Sequence, residues 1–134
     1  MEERSFDRSF ASLEPIYAFL RSFLNEHGLD EQHAWDLDLI AEELFTNMVK
    51  YGSGSQPIAL GLSWNRPIFT MVLREFDSVG FDPNQAPEVE TARPISERRA
   101  GGLGIHLVRR VADRIEFKRE DRQSTITIHK KLET

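Results

Sequence analysis

Two groups of residues in this chain have types and spacing suited to chemistry. Glu43 and Asn47 stand four residues apart in Glu43-Leu-Phe-Thr-Asn47. On a helix they stack on adjacent turns. A carboxylate and an amide so placed can coordinate Mg²⁺ or position a water or hydroxyl. Mg²⁺ takes a few oxygen ligands and leaves room for phosphate oxygens. Further on, Ala100-Gly-Gly-Leu-Gly-Ile105 runs directly into an apolar-periodic helix. Its glycines remove Cβ atoms where backbone must approach a ligand or take positive φ. The free N–H groups and the positive end of the helix dipole then make an anion site suited to phosphate. Gly101, Gly102, Leu103 and Gly104 are the residues expected to line it.

Between these groups lies Arg74-Glu-Phe-Asp-Ser-Val-Gly-Phe-Asp-Pro83, where Asp77 and Asp82 flank Gly80. An Asp at a strand end can accept a hydrogen bond from the exocyclic amine of adenine. Each group also has a plainer reading. Glu43 and Asn47 fit a solvated helix edge. The Asp77 segment fits an Asx-rich turn. The glycines fit a hinge, although a glycine in the first turn of a helix costs about 1 kcal/mol relative to alanine. His106 fits packing or solvation in its helix. The groups gain weight together, in order along one chain.

The elements that must position them follow from periodicity. Residues 4–10 read as a short strand. Residues 12–27 read as an amphipathic helix with Leu13, Ile16, Tyr17, Leu20, Phe23 and Leu24 at helical spacing. Ser12 is its expected N-cap, Pro15 is tolerable in its first turn, and Gly28 follows its end. Asp30 is expected to cap a second helix running to about Tyr51, with Leu37, Ile40, Ala41, Leu44 and Met48 on its apolar face. Asp36, Glu43, Asn47 and Lys50 fall along one edge of that face.

A loop over 52–57 leads to Ile58, Leu60, Leu62 and Trp64, which alternate as a half-buried strand does. Asn65-Arg-Pro67 is a turn, and Ile68 to Leu73 is the next, more buried strand. Residues 77–102 carry no period and hold Pro83, Pro87 and Pro94. A loop of that length in a small domain marks a lid or a disordered segment. Leu103 to Asp113 is a third helix. Ile115 to Lys118 and Thr125 to Ile128 close the chain as a hairpin. This order implies an α+β two-layer sandwich, with a mixed, mostly antiparallel sheet and three helices on one face.

The chain's 134 residues fit one domain, 1–134. The net charge of −5 argues against non-specific binding to nucleic acid or to an anionic membrane surface. With no cysteine, disulfides and thiolate metal sites are excluded. The charged N-terminus is not a signal peptide, and no apolar run approaches the roughly 20 residues of a membrane span. A cytoplasmic protein is the expectation.

With these elements in order, the chain resembles the anti-sigma-factor serine/threonine kinases, the RsbW-like branch of the GHKL ATPases. Glu43-Leu-Phe-Thr-Asn47-Met-Val-Lys-Tyr-Gly52 resembles that family's N-box. Phe81-Asp82-Pro83 is similar to the end of its first glycine box. Gly101-Gly-Leu-Gly-Ile-His-Leu-Val-Arg-Arg-Val-Ala-Asp113 resembles its second glycine box and is the most specific match. The resemblance implies an ATP-binding sandwich whose loop, about 77–102, is an ATP lid. It implies that Asn47 holds Mg²⁺ between phosphate oxygens and that Glu43 is general base toward a partner's serine hydroxyl. It implies that Gly102 and Gly104 contact the phosphates. The partners it implies are a STAS-domain anti-sigma antagonist as substrate, a sigma factor or other downstream regulator, and a second copy in a homodimer.

One departure stands out. The family's first glycine box reads Asp-x-Gly, and counting back from Phe81 puts Phe76 and Ser78 at those two positions. Phenylalanine accepts no hydrogen bond from adenine. Asp77 is one residue away and can substitute if the strand end carries a bulge. Two other readings therefore stand beside the kinase: a binding module with weakened chemistry, and a component of another GHKL branch.

Overall fold

The computed structural model of the chain describes residues 1–52, 54–76 and 102–133, with the backbone alone at 102–105. The elements are β1 (Glu2–Phe6), α1 (Leu13–Glu26), α2 (Ala34–Tyr51), β2 (Ile58–Asn65), β3 (Ile68–Phe76), α3 (Gly102–Val111), β4 (Arg114–Glu120) and β5 (Gln123–Lys131). The strands form one sheet in the order β1-β2-β3-β5-β4. Every pairing among the described residues is antiparallel. With the helices gathered on one face, this is the expected α+β sandwich.

Alternation decides which side chains enter the core. Phe69, Met71 and Leu73 of β3 pair with Lys130, Ile128 and Ile126 of β5, and Leu62 and Leu60 of β2 stand opposite Met71 and Leu73. Their apolar side chains meet Ile16, Phe19, Leu20, Phe23 and Leu24 of α1 and Leu37, Ile40, Ala41, Leu44, Phe45 and Met48 of α2 in one buried cluster. Val108 brings α3 into the same cluster. Phe23 meets Phe69 edge to face at 5.6 Å between ring centroids, tying α1 to the middle of the sheet.

Several boundaries differ from the sequence reading, each for a local reason. The first strand is Glu2–Phe6 rather than 4–10. The chain leaves the sheet after Phe6 because Ser9 caps a 3-10 turn over Phe10–Ser12, accepting from the Ala11 N–H at 3.2 Å. Ser12 does not cap α1 with its side chain. Its hydroxyl instead donates to the Asp7 carbonyl at 2.7 Å, which folds the turn against the helix start. Asp30 caps a 3-10 turn, Glu31–His33, by accepting from the Gln32 N–H, and α2 follows at Ala34. The closing hairpin is longer than its apolar residues suggest, and turns at Asp121 with φ of 53°. A short polar side chain tolerates that left-handed conformation.

Gly28 sits where expected after α1, with φ of 65°. No helix among the described residues is long and apolar enough to cross a membrane.

Candidate functional site

The second half of α2 carries the carboxylate and amide singled out by spacing. Glu43 is half-buried at the edge of the helix, whereas Asn47 is buried, at 2% exposure. The Asn47 Nδ2 donates to the Glu43 backbone carbonyl at 2.5 Å. A carbonyl accepts and does not donate, so the amide nitrogen must take that position. The oxygen Oδ1 is then the acceptor that the amide keeps. Burial raises the Glu43 pKa above its ordinary value, and the neighbouring Glu42 adds to the rise while Lys50 opposes it. A partly desolvated carboxylate of this kind has the character of a general base.

The glycine turn leads into α3. The helix begins at Gly102, one residue before the expected start, so Gly102, Leu103 and Gly104 all lie in its first turn. The first N–H groups of a helix have no partner within it. Helix α3 packs beside α2, with Val108 fully buried between them and the sheet. Of the remaining candidates, Asp77, Gly80 and Gly101 lie outside the described residues, as do Phe81-Asp82-Pro83 and most of the expected lid.

The end of β3 holds the residues that sequence reasoning missed. Pairing with β5 runs in unbroken register to Phe76 opposite Gln123, so no bulge interrupts the strand before Asp77. Phe76 is 37% exposed. It lies on the face away from the helices, in a shallow depression with Glu120, Asp121, Arg122 and Gln123. Glu75 is the residue that continues the inward row of Phe69, Met71 and Leu73, and it is fully buried.

Arg8, from the turn after β1, enters the same region. Its Nη1 donates to Glu75 Oε1 at 2.7 Å and to the Met48 carbonyl near the end of α2 at 2.8 Å. Gly52 closes over this contact. A Cβ there would overlap Glu75 Oε1 and lie 2.5 Å from the Met48 carbonyl oxygen. Ser124 stands opposite Glu75 on β5, is fully buried, and accepts from Arg119 Nη1 at 2.8 Å. A signal for Glu75 was present: the apolar alternation of β3 ends on it rather than on Phe76. Nothing in sequence pointed to Arg8, whose partner is distant along the chain.

A buried amide and a half-buried carboxylate on one helix, a glycine-opened helix beside it and a polar strand end stand together on one α+β sandwich. The sequence model of the histidine kinase-like ATPase domain matches residues 6–130. The chain belongs to that family, the GHKL-type ATPases, and is an ATP-binding module by family. Comparison with curated protein sequences returns no match. Among solved structures, the Acinetobacter baumannii histidine kinase AdeS is similar at a TM-score of 0.55 and 11% identity, over 100% of this chain and 69% of that one. At that identity the likeness concerns the fold alone.

Proposed function

We propose that the chain binds ATP with Mg²⁺ and is a protein serine/threonine kinase of the anti-sigma-factor type. In this reading it phosphorylates a STAS-domain antagonist and sequesters a sigma factor or other downstream regulator. The observation that carries the reading is Asn47, a buried amide whose nitrogen is committed to the Glu43 carbonyl. The oxygen of that amide is a hard donor of the kind that Mg²⁺ prefers. The donor set therefore fits the ion, with Asn47 as its protein ligand, and Mg²⁺ when bound neutralises charge on the phosphate oxygens.

The chain's own residues supply the rest. The backbone of Gly101, Gly102, Leu103 and Gly104 cradles phosphate. Glu43 accepts the proton of the partner's serine hydroxyl as that oxygen bonds to the γ-phosphorus. The bond from the γ-phosphorus to the bridging oxygen breaks and ADP leaves. The acidic net charge fits a cytoplasmic protein whose partners are proteins rather than nucleic acid. The test is incubation with Mg-ATP and the cognate antagonist, reading phosphoserine. No transfer to a folded cognate partner sinks the kinase.

A second reading is a partner-switching module with weakened chemistry. It is favoured by Phe76, which faces away from the helix layer and brings no acceptor to a base. It predicts partner binding that persists in Glu43→Ala and without nucleotide.

A further inference from the structure

Helix α1 lies beside the edge strand β1, and their facing rows run in step. Phe6 meets Phe19 at 6.1 Å between ring centroids, and the Arg4 guanidinium lies over the same ring at 4.7 Å. Glu2 is the next residue of this row, because alternate residues of a strand share a face. On α1, Phe19, Phe23 and His27 are successively four residues apart and share a face in the same way. Glu2 and His27 meet where both rows end, and Glu26 stands beside them. Among the described residues, this is the one group of histidine and carboxylate side chains close enough to share a metal ion. Its three ligand atoms lie within 4.8 Å of one another.

A direct ion pair does not account for the group. Glu2 Oε1 and His27 Nε2 are 3.8 Å apart, too far for a hydrogen bond. Among the described residues, neither Glu2 nor Glu26 forms an ion pair with a lysine or arginine. Two carboxylates thus stand together at the C-terminal end of α1, where the helix dipole is negative and favours a cation. The His27 ring rests against buried Phe23, with 4.1 Å between centroids, which limits the directions Nε2 can take.

An imidazole nitrogen with two carboxylate oxygens suits Zn²⁺. Around a tetrahedral Zn²⁺, ligand atoms stand about 3.4 Å apart, as bonds of about 2.1 Å require. Glu2 and Glu26 are both exposed, so rotation of their side chains can bring the set to that spacing. We propose that Glu2, Glu26 and His27 form a Zn²⁺ site, with a fourth position left to water, and that the ion fastens β1 to the end of α1. The site is separate from the proposed nucleotide site. Glu2 opens β1, whereas Arg8, which reaches the C-terminal part of α2, follows the other end of the strand.

The test is calorimetric titration of the full chain with Zn²⁺ in the absence of nucleotide. One equivalent is expected to bind. Loss of an outer-shell partner alone costs about 10–100-fold in metal affinity, so loss of a ligand should cost no less. His27→Gln and the double variant Glu2→Gln/Glu26→Gln are each expected to weaken binding about tenfold or more. The double variant keeps the test open if loss of the Phe23 contact unfolds His27→Gln. His33→Gln and a millimolar excess of Mg²⁺ are expected to leave binding unchanged, since Mg²⁺ prefers an octahedral set of oxygens. In thermal melts, Zn²⁺ should raise the melting temperature of wild type and not of the ligand variants.

The proposal is overturned if wild type binds no Zn²⁺, or if the ligand variants bind it as tightly as wild type does. It is also overturned if Mg²⁺ displaces Zn²⁺, or if His33→Gln weakens binding as much as His27→Gln. None of these results bears on ATP binding.

Discussion

Arg8 and Glu75 lie 67 residues apart in sequence, yet Arg8 Nη1 meets Glu75 Oε1 at 2.7 Å with the carboxylate fully buried. The pair fastens the turn after β1 to the end of β3, beneath the last turn of α2. Removing one member strands the other charge in the interior. Such a loss costs about 3–5 kcal/mol, whereas replacing both members with apolar groups is often neutral or stabilising. Urea denaturation of Arg8→Met, of Glu75→Leu and of the double variant should show two strongly destabilised singles and a double far less affected than their sum. Additive losses would contradict this coupling.

Gly52 needs its missing side chain for steric rather than conformational reasons. Its φ of −73° suits any residue, but an added Cβ meets Glu75 Oε1 and sits 2.8 Å from Arg8 Nη1. Gly52→Ala should therefore destabilise by about 1–3 kcal/mol, the usual range for overpacking. Arg8→Met/Glu75→Leu should change that cost, because it alters the atoms that the new methyl strikes. A Gly52→Ala protein as stable as wild type in chemical denaturation would refute the close approach.

Under the proposed function, Asn47 serves both stability and ligand binding. Asn47→Ala removes a buried hydrogen bond to the Glu43 carbonyl, and a loss of about 1 kcal/mol is expected. A ligand that binds only the folded state raises the melting temperature by mass action. Wild type should show such a rise with Mg-ATP, and Asn47→Ala should show little or none. A full rise in the variant would remove Asn47 from the site.

Glu43 makes stability depend on pH. Burial is the main cause of its raised pKa, with Glu42 second and Lys50 in opposition. A raised folded-state value means that the folded protein holds this proton more tightly than the unfolded chain. The group's contribution is thus most favourable below the ordinary value of 4.5 and declines as pH rises through the folded value. Glu43→Gln removes the titration. The stability of Glu43→Gln relative to wild type should increase from about pH 4 toward neutrality, as followed by thermal melts. A difference flat across that range would show that the carboxylate is not desolvated. In the kinase reading the same variant loses phosphotransfer.

Much of the architecture was legible in the chain itself. The apolar spacing of Ile16, Leu20, Phe23 and Leu24, and of Leu37, Ile40, Leu44 and Met48, selects helices because only a period near 3.6 puts those groups on one face. The alternation of Ile58, Leu60 and Leu62 selects a strand for the equivalent reason. Glu43, Asn47 and the Gly101 to Gly104 turn could be singled out because their relationships are local, within one helix or at one helix start. Boundaries were less legible. Ser12 and Ser9 have equal capping chemistry, and the choice between them depended on which one the turn after β1 brings to a free N–H.

The burial at the end of β3 was not legible, and the reason is geometric. Counting residues back from Phe81 reaches Phe76, but side-chain direction in a strand is fixed by pairing, not by counting. The register of β3 with β5 turns Phe76 away from the helices and Glu75 toward them. Arg8 reaches Glu75 only because β1 pairs with β2 and β2 with β3, which brings residues far apart in sequence to one end of the sheet. The sequence by itself thus determined the elements, the family resemblance and the amide and glycines proposed for the phosphate end. Tertiary structure alone decided which carboxylate is buried at the end of β3 and what it meets, because that depends on strand register and on a contact between residues the chain keeps far apart.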